Sequence, residues 1–250
     1  LNLLQWYVRE CALQHDSSVM MLSAFGFDLT QKNLLAPLVS GATLVLPEGE
    51  LFDAPLILKQ VQQHQITLIN CAPSVFYPLV ELGASQQYQA LSTLQQVIFG
   101  GESIQMDRLL PWLQHESCQA QIVNNYGPTE CTDIAAFFRV RDPNYFKEKP
   151  VPVGRANDNV ALYLVNDDNQ LLPQGLIGEL CISGEGVGTG YLNQEALNRQ
   201  SFQTNPYADE EINALASHGE GLKRWYRSGD LMRYQADGNL EFISRKDFQV

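Results

Sequence analysis

Residues 121–130 read Gln-Ile-Val-Asn-Asn-Tyr-Gly-Pro-Thr-Glu, a short apolar run that ends in a Gly-Pro turn. Residues 95–102 read Gln-Gln-Val-Ile-Phe-Gly-Gly-Glu, a second short apolar run, which ends in a pair of glycines. Apolar runs of this length bounded by turn residues are typical of buried strands. A helical pattern at 106–113 separates the two runs, so the sequence predicts strand, helix and strand in succession. Such units build parallel sheets.

The same alternation continues toward the start of the chain. The predicted elements there are helices near 3–11, 32–39, 54–64 and 73–82 and strands at Val19–Phe25, Ala42–Leu46 and Thr67–Ile69. We therefore predict an α/β fold with a mostly parallel sheet layered with helices over residues 1–150. Ligands of such sheets gather beyond the carboxyl ends of the strands. This rule predicts a binding site at 100–102 and 125–130.

The sequence changes character beyond about Pro150, where short β runs are broken by Gly, Asn, Asp and Pro. These runs are Val160–Val165, Glu179–Ser183, Leu231–Tyr234 and Leu240–Ser244. Turn signals between them, such as Asn166-Asp-Asp-Asn, predict antiparallel pairing. We expect a smaller antiparallel β subdomain, a distorted barrel, over residues 151–243, with a polar surface loop at 209–221.

Composition restricts the class of protein. The 250 residues are 45% hydrophobic and 18% charged, as in globular proteins, and the net charge of −12 disfavours nucleic acid polymers and anionic lipid surfaces. Five cysteines without a Cys-x-x-Cys pair predict free thiols and a cytoplasmic location. The first residues lack the pattern of a signal peptide, and no apolar run approaches a membrane span.

Several side chains at the predicted strand ends suit a nucleotide. Thr129 offers a hydroxyl to a phosphate, Glu130 an oxygen ligand to Mg²⁺, and Tyr126 a face for a purine ring. The alternative is an ordinary turn with a buried tyrosine and a surface glutamate. Asp230 suits the hydroxyls of a ribose or caps a turn. Gly100 and the glycine after it permit close approach of a flat base or form a plain loop.

An ordered set of motifs extends over essentially the whole chain. The set comprises Phe27-Asp-Leu-Thr, Gly41-Ala-Thr-Leu-Val-Leu-Pro, Phe99-Gly-Gly-Glu, Asn125-Tyr-Gly-Pro-Thr-Glu, Gly178-Glu-Leu-Cys-Ile-Ser-Gly-Glu-Gly-Val, Gly190-Tyr-Leu-Asn, Tyr226-Arg-Ser-Gly-Asp-Leu and Ser244-Arg-Lys-Asp-Phe-Gln-Val. With these motifs the chain resembles the adenylation domains of nonribosomal peptide synthetases. They belong to the superfamily of acyl- and aryl-CoA synthetases and luciferases.

The resemblance implies a two-step reaction. An amino-acid carboxylate attacks the α-phosphorus of Mg²⁺·ATP, which gives an aminoacyl-AMP and pyrophosphate. The acyl group then passes to the phosphopantetheine thiol of a peptidyl carrier domain. Implied partners are that carrier and a neighbouring condensation domain of the same assembly line.

The resemblance also implies a role for each matching residue. The catalytic set is Thr129, Glu130, Arg245 and Asp247, with Glu130 as the metal ligand and Asp247 as the hinge. The implied nucleotide-binding residues are Gly100, Gly101, Glu102, Asn125, Tyr126, Gly127, Thr129, Asp230 and Arg245. Tyr126 would stack on adenine, and Asp230 would bind the ribose.

Asp28 distinguishes amino-acid activation from fatty-acyl or aryl activation. In the family an Asp at this place pairs with the substrate α-ammonium, a charge-assisted contact; a helix N-cap is the alternative. Besides Asp28, the implied substrate-binding residues line the side-chain pocket, and they are Leu29, Lys32, Asn70, Ile98, Gly100, Asn125, Asp133 and Ile134. Lys32 and Asp133 pair with each other, or one of them receives a charged substrate side chain. A polar amino acid is favoured.

Two family features have no counterpart in this sequence. They are a Ser/Thr/Gly-rich phosphate loop upstream and a C-terminal subdomain that carries a lysine, so residues 244–250 are expected to be the hinge to that subdomain. We therefore expect an internal fragment that is inactive in isolation. The alternatives are an acyl- or aryl-CoA ligase and a non-catalytic module derived from such a domain.

Overall fold

The computed structural model describes residues 1–49, 52–208 and 220–246. The chain divides into two compact units. One comprises Leu3–Asn125 and Arg139–Val151, and the other comprises Tyr126–Phe138 and the residues from Pro152 onward. None of the helices within the described ranges combines the length and the hydropathy needed to cross a bilayer.

The helices of the first unit bury apolar side chains on one face. Their bounds are α1 (Asn2–Glu10), α2 (Leu29–Ser40), α3 (Ala54–Gln63), α4 (Pro73–Gly83) and α5 (Met106–Leu113). Helix α5, for example, buries Leu109, Leu110 and Trp112. Proline occupies the first position of α4, where its missing N–H has no partner to lose.

The sheet of the first unit is parallel, as predicted. Its strands are β1 (Ser18–Met21), β2 (Thr43–Val45), β3 (Leu68–Cys71), β4 (Gln96–Phe99) and β5 (Gln121–Tyr126), and they lie in the order β2-β1-β3-β4-β5. Asn70 of β3 is paired in register with Ile98 of β4, which pairs with Val123 of β5. All four residues of β3 are buried, as in strands covered on both faces.

The predicted strand Val19–Phe25 is too long at its C-terminal end. Strand β1 ends at Met21, and the N–H of Phe27 donates to the carbonyl of Ala24 in a turn. The hydroxyl of Thr30 donates to that same carbonyl at 2.8 Å. Local hydrogen bonds of this kind satisfy the backbone outside the sheet, and a count of apolar residues does not detect them.

The second unit is built around an antiparallel sheet, as predicted. The strands of this sheet are β8 (Val160–Val165), β9 (Ile177–Gly184), β10 (Phe202–Thr204), β11 (Arg224–Tyr234) and β12 (Leu240–Arg245), with helix α6 (Glu195–Ser201) before β10. Strands β6 (Ala136–Arg139) and β7 (Arg155–Ala156) pair antiparallel with each other and are not part of this sheet. The sheet order is β10-β11-β9-β8, and β12 pairs with β11. Successive residues of β8 point to opposite faces of the sheet, so Leu164 belongs to one apolar cluster and Val165 to another.

Strand β11 is longer than predicted and carries an irregularity. Its pairing with β9 shifts register between Arg227 and Leu231, where Gly229 has a φ of +73°. The polar residues before Leu231 do not fit an apolar strand pattern, so the first half of this strand was not predicted. Strands β6, β7 and β10 and helix α6 were also not predicted. Of the predicted loop at 209–221, residues 209–219 lie outside the described residues, and Glu220–Lys223 forms a short 3-10 helix.

Candidate functional site

Gly100 follows β4 and lies directly beneath the side chain of Asn125. A Cβ at Gly100 would lie 2.1 Å from Oδ1 of Asn125, so a larger residue at this position would require the Asn125 side chain to move. Gly101 has a φ of +81° and open space around its Cα. Both residues border the strand ends in the first unit, where the sequence predicted a binding site. Within this unit, Gly100 is fitted to the Asn125 amide.

Glu102 caps helix α4 in this structure. Its Oε2 accepts from the N–H of Ser74 at 3.0 Å, and its Oε1 accepts from the Ser74 hydroxyl at 2.8 Å. A carboxylate at a helix N-terminus satisfies N–H groups that have no partner within the helix. The predicted role of Glu102 at the edge of the base stays a prediction, and the capping contact fixes where its side chain lies.

Asp28 is the N-cap residue of α2. Its Oδ1 accepts from the N–H of Leu29 at 2.7 Å, and the residue is half-buried. The capping reading of this aspartate is therefore present in the structure. A carboxylate holds more acceptor capacity than one N–H uses, so the predicted contact to a substrate ammonium is compatible with the cap and stays a prediction.

Buried polar side chains accompany Asp28 in the first unit. Lys32 is only 2% exposed, and its ammonium lies 5.7 Å from the centroid of the Tyr7 ring, within the range of a cation–π contact. Asn33 donates to the carbonyl of Asn70 at 3.2 Å. Of the predicted pocket residues, the first unit holds Asp28, Leu29, Lys32, Asn70, Ile98, Gly100 and Asn125.

The Gly-Pro turn of the second unit folds tightly back on itself. The N–H of Ala135 donates to the carbonyl of Tyr126 at 2.8 Å, and a Cβ at Gly127 would lie 2.1 Å from the carbonyl oxygen of Asp133. Thr129 is exposed and begins a 3-10 turn, Thr129–Cys131. Glycine is therefore required at 127 by the close approach of backbone.

The remaining predicted pocket residues, Asp133 and Ile134, end this turn. Asp133 has a φ of +71°, a strained value for a residue with a side chain. The carbonyl of Ile134 accepts from the Asn157 amide at 2.6 Å. Strain held by surrounding contacts often accompanies a binding site, which agrees with the predicted role of this segment.

Tyr126, Asp230 and Arg245 are connected in the second unit. The Tyr126 hydroxyl donates to Asp230 Oδ2, and Arg245 Nη1 lies 2.8 Å from Asp230 Oδ1. Ser228 accepts from the N–H of Asp230 at 3.0 Å, within the irregular segment of β11. Burial, and then the Asp230 charge, raises the pKa of Tyr126 well above its usual value, so the phenol stays neutral and donates. The structure thus brings three predicted nucleotide residues into contact.

Glu130 is held by a loop that the sequence did not assign to it. The Tyr191 hydroxyl donates to Glu130 Oε1 at 2.5 Å, and the N–H of Gly188 donates to the Glu130 carbonyl at 2.8 Å. Burial, and then the hydrogen bond to Glu130, raises the pKa of Tyr191. Tyr191 belongs to the motif Gly190-Tyr-Leu-Asn, which was the signal that could have pointed to it.

The residues around Glu130 fit a magnesium ion that is bound mainly by substrate. Among the residues that the structure describes, no three or more His, Cys, Asp or Glu side chains are grouped so as to hold a metal. Mg²⁺ usually keeps several waters and takes one or two carboxylates together with substrate phosphates. One half-buried carboxylate, Glu130, is therefore sufficient for the implied ion. The implied hinge residue, Asp247, lies outside the described residues.

Comparisons with known proteins identify the family of this chain. The AMP-binding enzyme family matches residues 1–192. Gramicidin S synthase 2 of Aneurinibacillus migulanus is 32% identical over 251 aligned residues, and the match covers 100% of this chain but only 5% of the synthase. The chain therefore spans a small part of the length of such relatives.

Solved structures show the same fold. The nonribosomal peptide synthetase FmoA3 superposes with a TM-score of 0.84 at 26% identity, over 98% of this chain and 25% of that one. The adenylation domain AlmE of Vibrio cholerae, solved in complex with glycyl-adenosine-5'-phosphate, gives a TM-score of 0.78 at 27% identity, over 99% of this chain and 44% of that one. The chain belongs to the AMP-binding enzyme family and is homologous to the adenylation domains of nonribosomal peptide synthetases.

Proposed function

We propose that the full-length protein carrying this chain activates an amino acid with ATP and loads it onto a carrier. In the first step the amino-acid carboxylate attacks the α-phosphorus of ATP, so that an acyl phosphate bond forms and pyrophosphate leaves. In the second step a phosphopantetheine thiol attacks the acyl carbon, and AMP leaves. The carrier is a peptidyl carrier domain, with a condensation domain as neighbour in the same assembly line. The proposed location is the cytoplasm.

One observation supports this proposal most strongly: Tyr126, Asp230 and Arg245, which come from three separate motifs, lie in contact in the second unit. Asp230 is only 5% exposed, yet it accepts from Tyr126 and pairs with Arg245. A carboxylate so oriented suits the two hydroxyl donors of a ribose. The AMP-binding family match and the nucleotide-analogue complex of FmoA3 support the assignment to ATP.

The proposed chemistry depends mainly on positioning and on charge. Thr129 would donate to a phosphate oxygen, and Arg245 would lie near the ribose and phosphate. Glu130 would hold Mg²⁺, which neutralises charge on the phosphates when it is bound. Tyr126 would present its ring to the adenine, whose edge Gly100, Gly101, Glu102, Asn125 and Gly127 would border. Asp247 would serve as the hinge to a C-terminal subdomain.

The proposed substrate is a polar amino acid. Asp28 would pair with its ammonium, and the side-chain pocket would be formed by Leu29, Lys32, Asn70, Ile98, Gly100, Asn125, Asp133 and Ile134. Buried lysine and asparagine side chains support a polar rather than an apolar substrate, because polar groups in a dry site need polar partners. The proposed subdomains are residues 1–150, 151–243 and 244–250.

The proposal is tested by the exchange of labelled pyrophosphate into ATP. The full-length protein is assayed with each of the common amino acids, and we expect exchange with one or a few polar ones. Exchange supported by a fatty or aryl acid, with free coenzyme A as the acceptor, would instead identify an acyl- or aryl-CoA ligase. A full-length protein without exchange on any acid would be a non-catalytic module, which would refute the proposal. The 250-residue chain alone is expected to form no adenylate.

A further inference from the structure

We propose that Tyr191 is a positioning residue that orients the Glu130 carboxylate toward the metal. This inference rests on the proposed function, in which Glu130 is the magnesium ligand. Tyr191 carries none of the assigned nucleotide or substrate roles. Its hydroxyl nevertheless donates to Glu130 Oε1 at 2.5 Å, the short distance typical of a bond to a charged acceptor.

The hydroxyl of Tyr191 is itself held in place. It lies 3.4 Å from the hydroxyl of Tyr226, which is buried. Because Tyr191 donates to Glu130, Tyr226 is the donor in this second contact. The Tyr191 ring also packs edge-on against Phe202, with centroids 5.4 Å apart and planes at 73°. These contacts leave the phenol one direction in which to donate.

The backbone of Tyr191 is clamped by helix α6. The N–H of Tyr191 donates to Oδ1 of Asn198 at 2.6 Å, and the Asn198 amide donates back to the Tyr191 carbonyl at 2.8 Å. Gly190, which precedes it, has a φ of +131° and would place a Cβ 2.8 Å from Asn198 Oδ1. Helix α6 therefore fixes both the backbone and, through Phe202 at its C-terminal end, the ring.

The loop before Tyr191 also fastens the backbone on both sides of Glu130. Gly188 donates its N–H to the Glu130 carbonyl at 2.8 Å, and Thr132 donates its hydroxyl to the Gly186 carbonyl at 2.7 Å. A Cβ at Gly186 would lie 2.5 Å from the Cys131 carbonyl oxygen. The glycines of this motif thus bring the loop against residues 130–132, so that both the main chain and the side chain of Glu130 are fixed.

A positioning role follows from general metal-site chemistry. Hydrogen bonds to a ligating carboxylate orient it, and losing one typically lowers metal affinity or activity about 10- to 100-fold. Glu130 has one oxygen engaged by Tyr191, and a carboxylate accepts at about four lone-pair sites. The contact therefore leaves capacity for a cation while it removes rotational freedom.

The test uses Mn²⁺ as a spectroscopic substitute for Mg²⁺. Binding of Mn²⁺ to the full-length protein with ATP is measured by electron paramagnetic resonance for wild type, Tyr191→Phe and the matched control Tyr207→Phe. The Tyr207 hydroxyl donates to the Asn169 carbonyl at 2.9 Å and does not contact Glu130, so Tyr207→Phe also deletes one bonded tyrosine hydroxyl but leaves the Glu130 contact intact. We expect about 10-fold weaker binding in Tyr191→Phe and an unchanged affinity in the control. Unchanged affinity in Tyr191→Phe would overturn the proposal.

A double-variant cycle distinguishes positioning from a general loss of structure. In a Glu130→Gln background, Tyr191→Phe is expected to change Mn²⁺ affinity less than about twofold, since the carboxylate is already gone. A further 10-fold loss there would contradict the proposal. Asn198→Ala, which loosens the Tyr191 backbone and keeps the hydroxyl, is expected to weaken Mn²⁺ binding to a smaller extent. If Tyr191→Phe fails to fold, an unchanged affinity in Asn198→Ala overturns the proposal instead.

Pyrophosphate exchange gives a second readout. Tyr191→Phe should require about 10-fold more Mg²⁺ for half-maximal exchange, with a kcat near that of wild type at saturating Mg²⁺. A lowered kcat that excess Mg²⁺ does not restore would count against positioning. If wild type shows exchange and Tyr191→Phe keeps the normal dependence on Mg²⁺, the positioning role of Tyr191 is refuted and the proposed function is not. Wild type without exchange on any amino acid would refute the proposed function itself.

Discussion

Removing the hydroxyl of Tyr126 distinguishes its two contributions, the ring face and the bond to Asp230. Tyr126→Phe keeps the aromatic ring and deletes one donor to a carboxylate that is 5% exposed. Hydrogen bonds to charged groups contribute about 1.5–3 kcal/mol. Because Asp230 keeps its 2.8 Å pair with Arg245, the lower part of that range, about 1.5–2 kcal/mol, is expected.

Two measurements follow from this magnitude. At about 2–4 °C per kcal/mol for a protein of this size, the melting temperature of Tyr126→Phe should fall by about 3–8 °C. The KM for ATP in the full-length protein should rise about 5- to 10-fold, because Asp230 loses part of its orientation toward the ribose. Tyr145→Phe is the control, since Tyr145 is 56% exposed and should shift neither value.

A Tyr126→Phe variant that melts within about 1 °C of wild type and keeps its KM for ATP within about twofold would show that the hydroxyl does not orient Asp230. A drop in melting temperature with an unchanged KM would leave the bond as purely structural. In that case only the ring of Tyr126 would remain as a candidate contact to adenine.

Two further predictions concern the second unit. Gly127→Ala should destabilise the folded protein by about 1–3 kcal/mol or more, because the new Cβ would lie 2.1 Å from the Asp133 carbonyl oxygen. The control Gly26→Ala has open space around the new Cβ and should be nearly neutral, so equal melting temperatures for the two variants would contradict this prediction. Burial alone would raise the pKa of Glu179, but the Arg227 guanidinium outweighs burial and holds that pKa below its usual range. The ionised Glu179 therefore stabilises the fold above about pH 4.3, and this contribution is lost as the pH falls. Glu179→Gln should therefore cost about 2–4 kcal/mol in urea unfolding at pH 7, with a gap to wild type that shrinks by pH 3.5; a constant gap would contradict the assignment.

Periodicity in the sequence was sufficient for the main sheet but not for the second unit's edges. Strands β3 and β4 contain short apolar runs, Leu68-Ile69 and Val97-Ile98-Phe99, so their positions are visible in the local sequence. The first half of β11 contains Arg224, Arg227 and Ser228, whose side chains find partners across the sheet. For instance, Arg227 pairs with Glu179, and the Ser228 hydroxyl donates to the Leu180 carbonyl at 2.8 Å. Partners distant in sequence override local polarity, so a local pattern cannot predict such a strand.

The candidate site shows the same division. Asp230 and Arg245 could be named from motifs, and the structure places them in contact. The partners of Glu130 and Glu102 could not be predicted, because the paired residues are far apart in the sequence and meet only in the folded chain. Tyr191 lies 61 positions from Glu130, and Ser74 lies 28 positions from Glu102. Gly100 is a further example. The sequence predicted the close approach of a flat base at this glycine, which stays a prediction, and the structure shows the Asn125 side chain close to it.

Amino-acid activation by this protein can be tested with a pair of aspartates. Asp28 caps α2, and Asp53 caps α3 by accepting from the N–H of Leu56 at 3.1 Å. Each substitution to alanine should cost about 1 kcal/mol of stability through the lost cap. Only Asp28 is proposed to bind the substrate ammonium, which is a charge-assisted contact of up to about 3 kcal/mol.

The deciding measurement is amino-acid-dependent pyrophosphate exchange in full-length wild type, Asp28→Ala and Asp53→Ala. We expect exchange in wild type, a loss of about 100-fold in kcat/KM for the amino acid in Asp28→Ala, and near-normal exchange in Asp53→Ala. Exchange in Asp28→Ala at the level of Asp53→Ala would contradict this expectation, because Asp28 would then be a helix cap and nothing more.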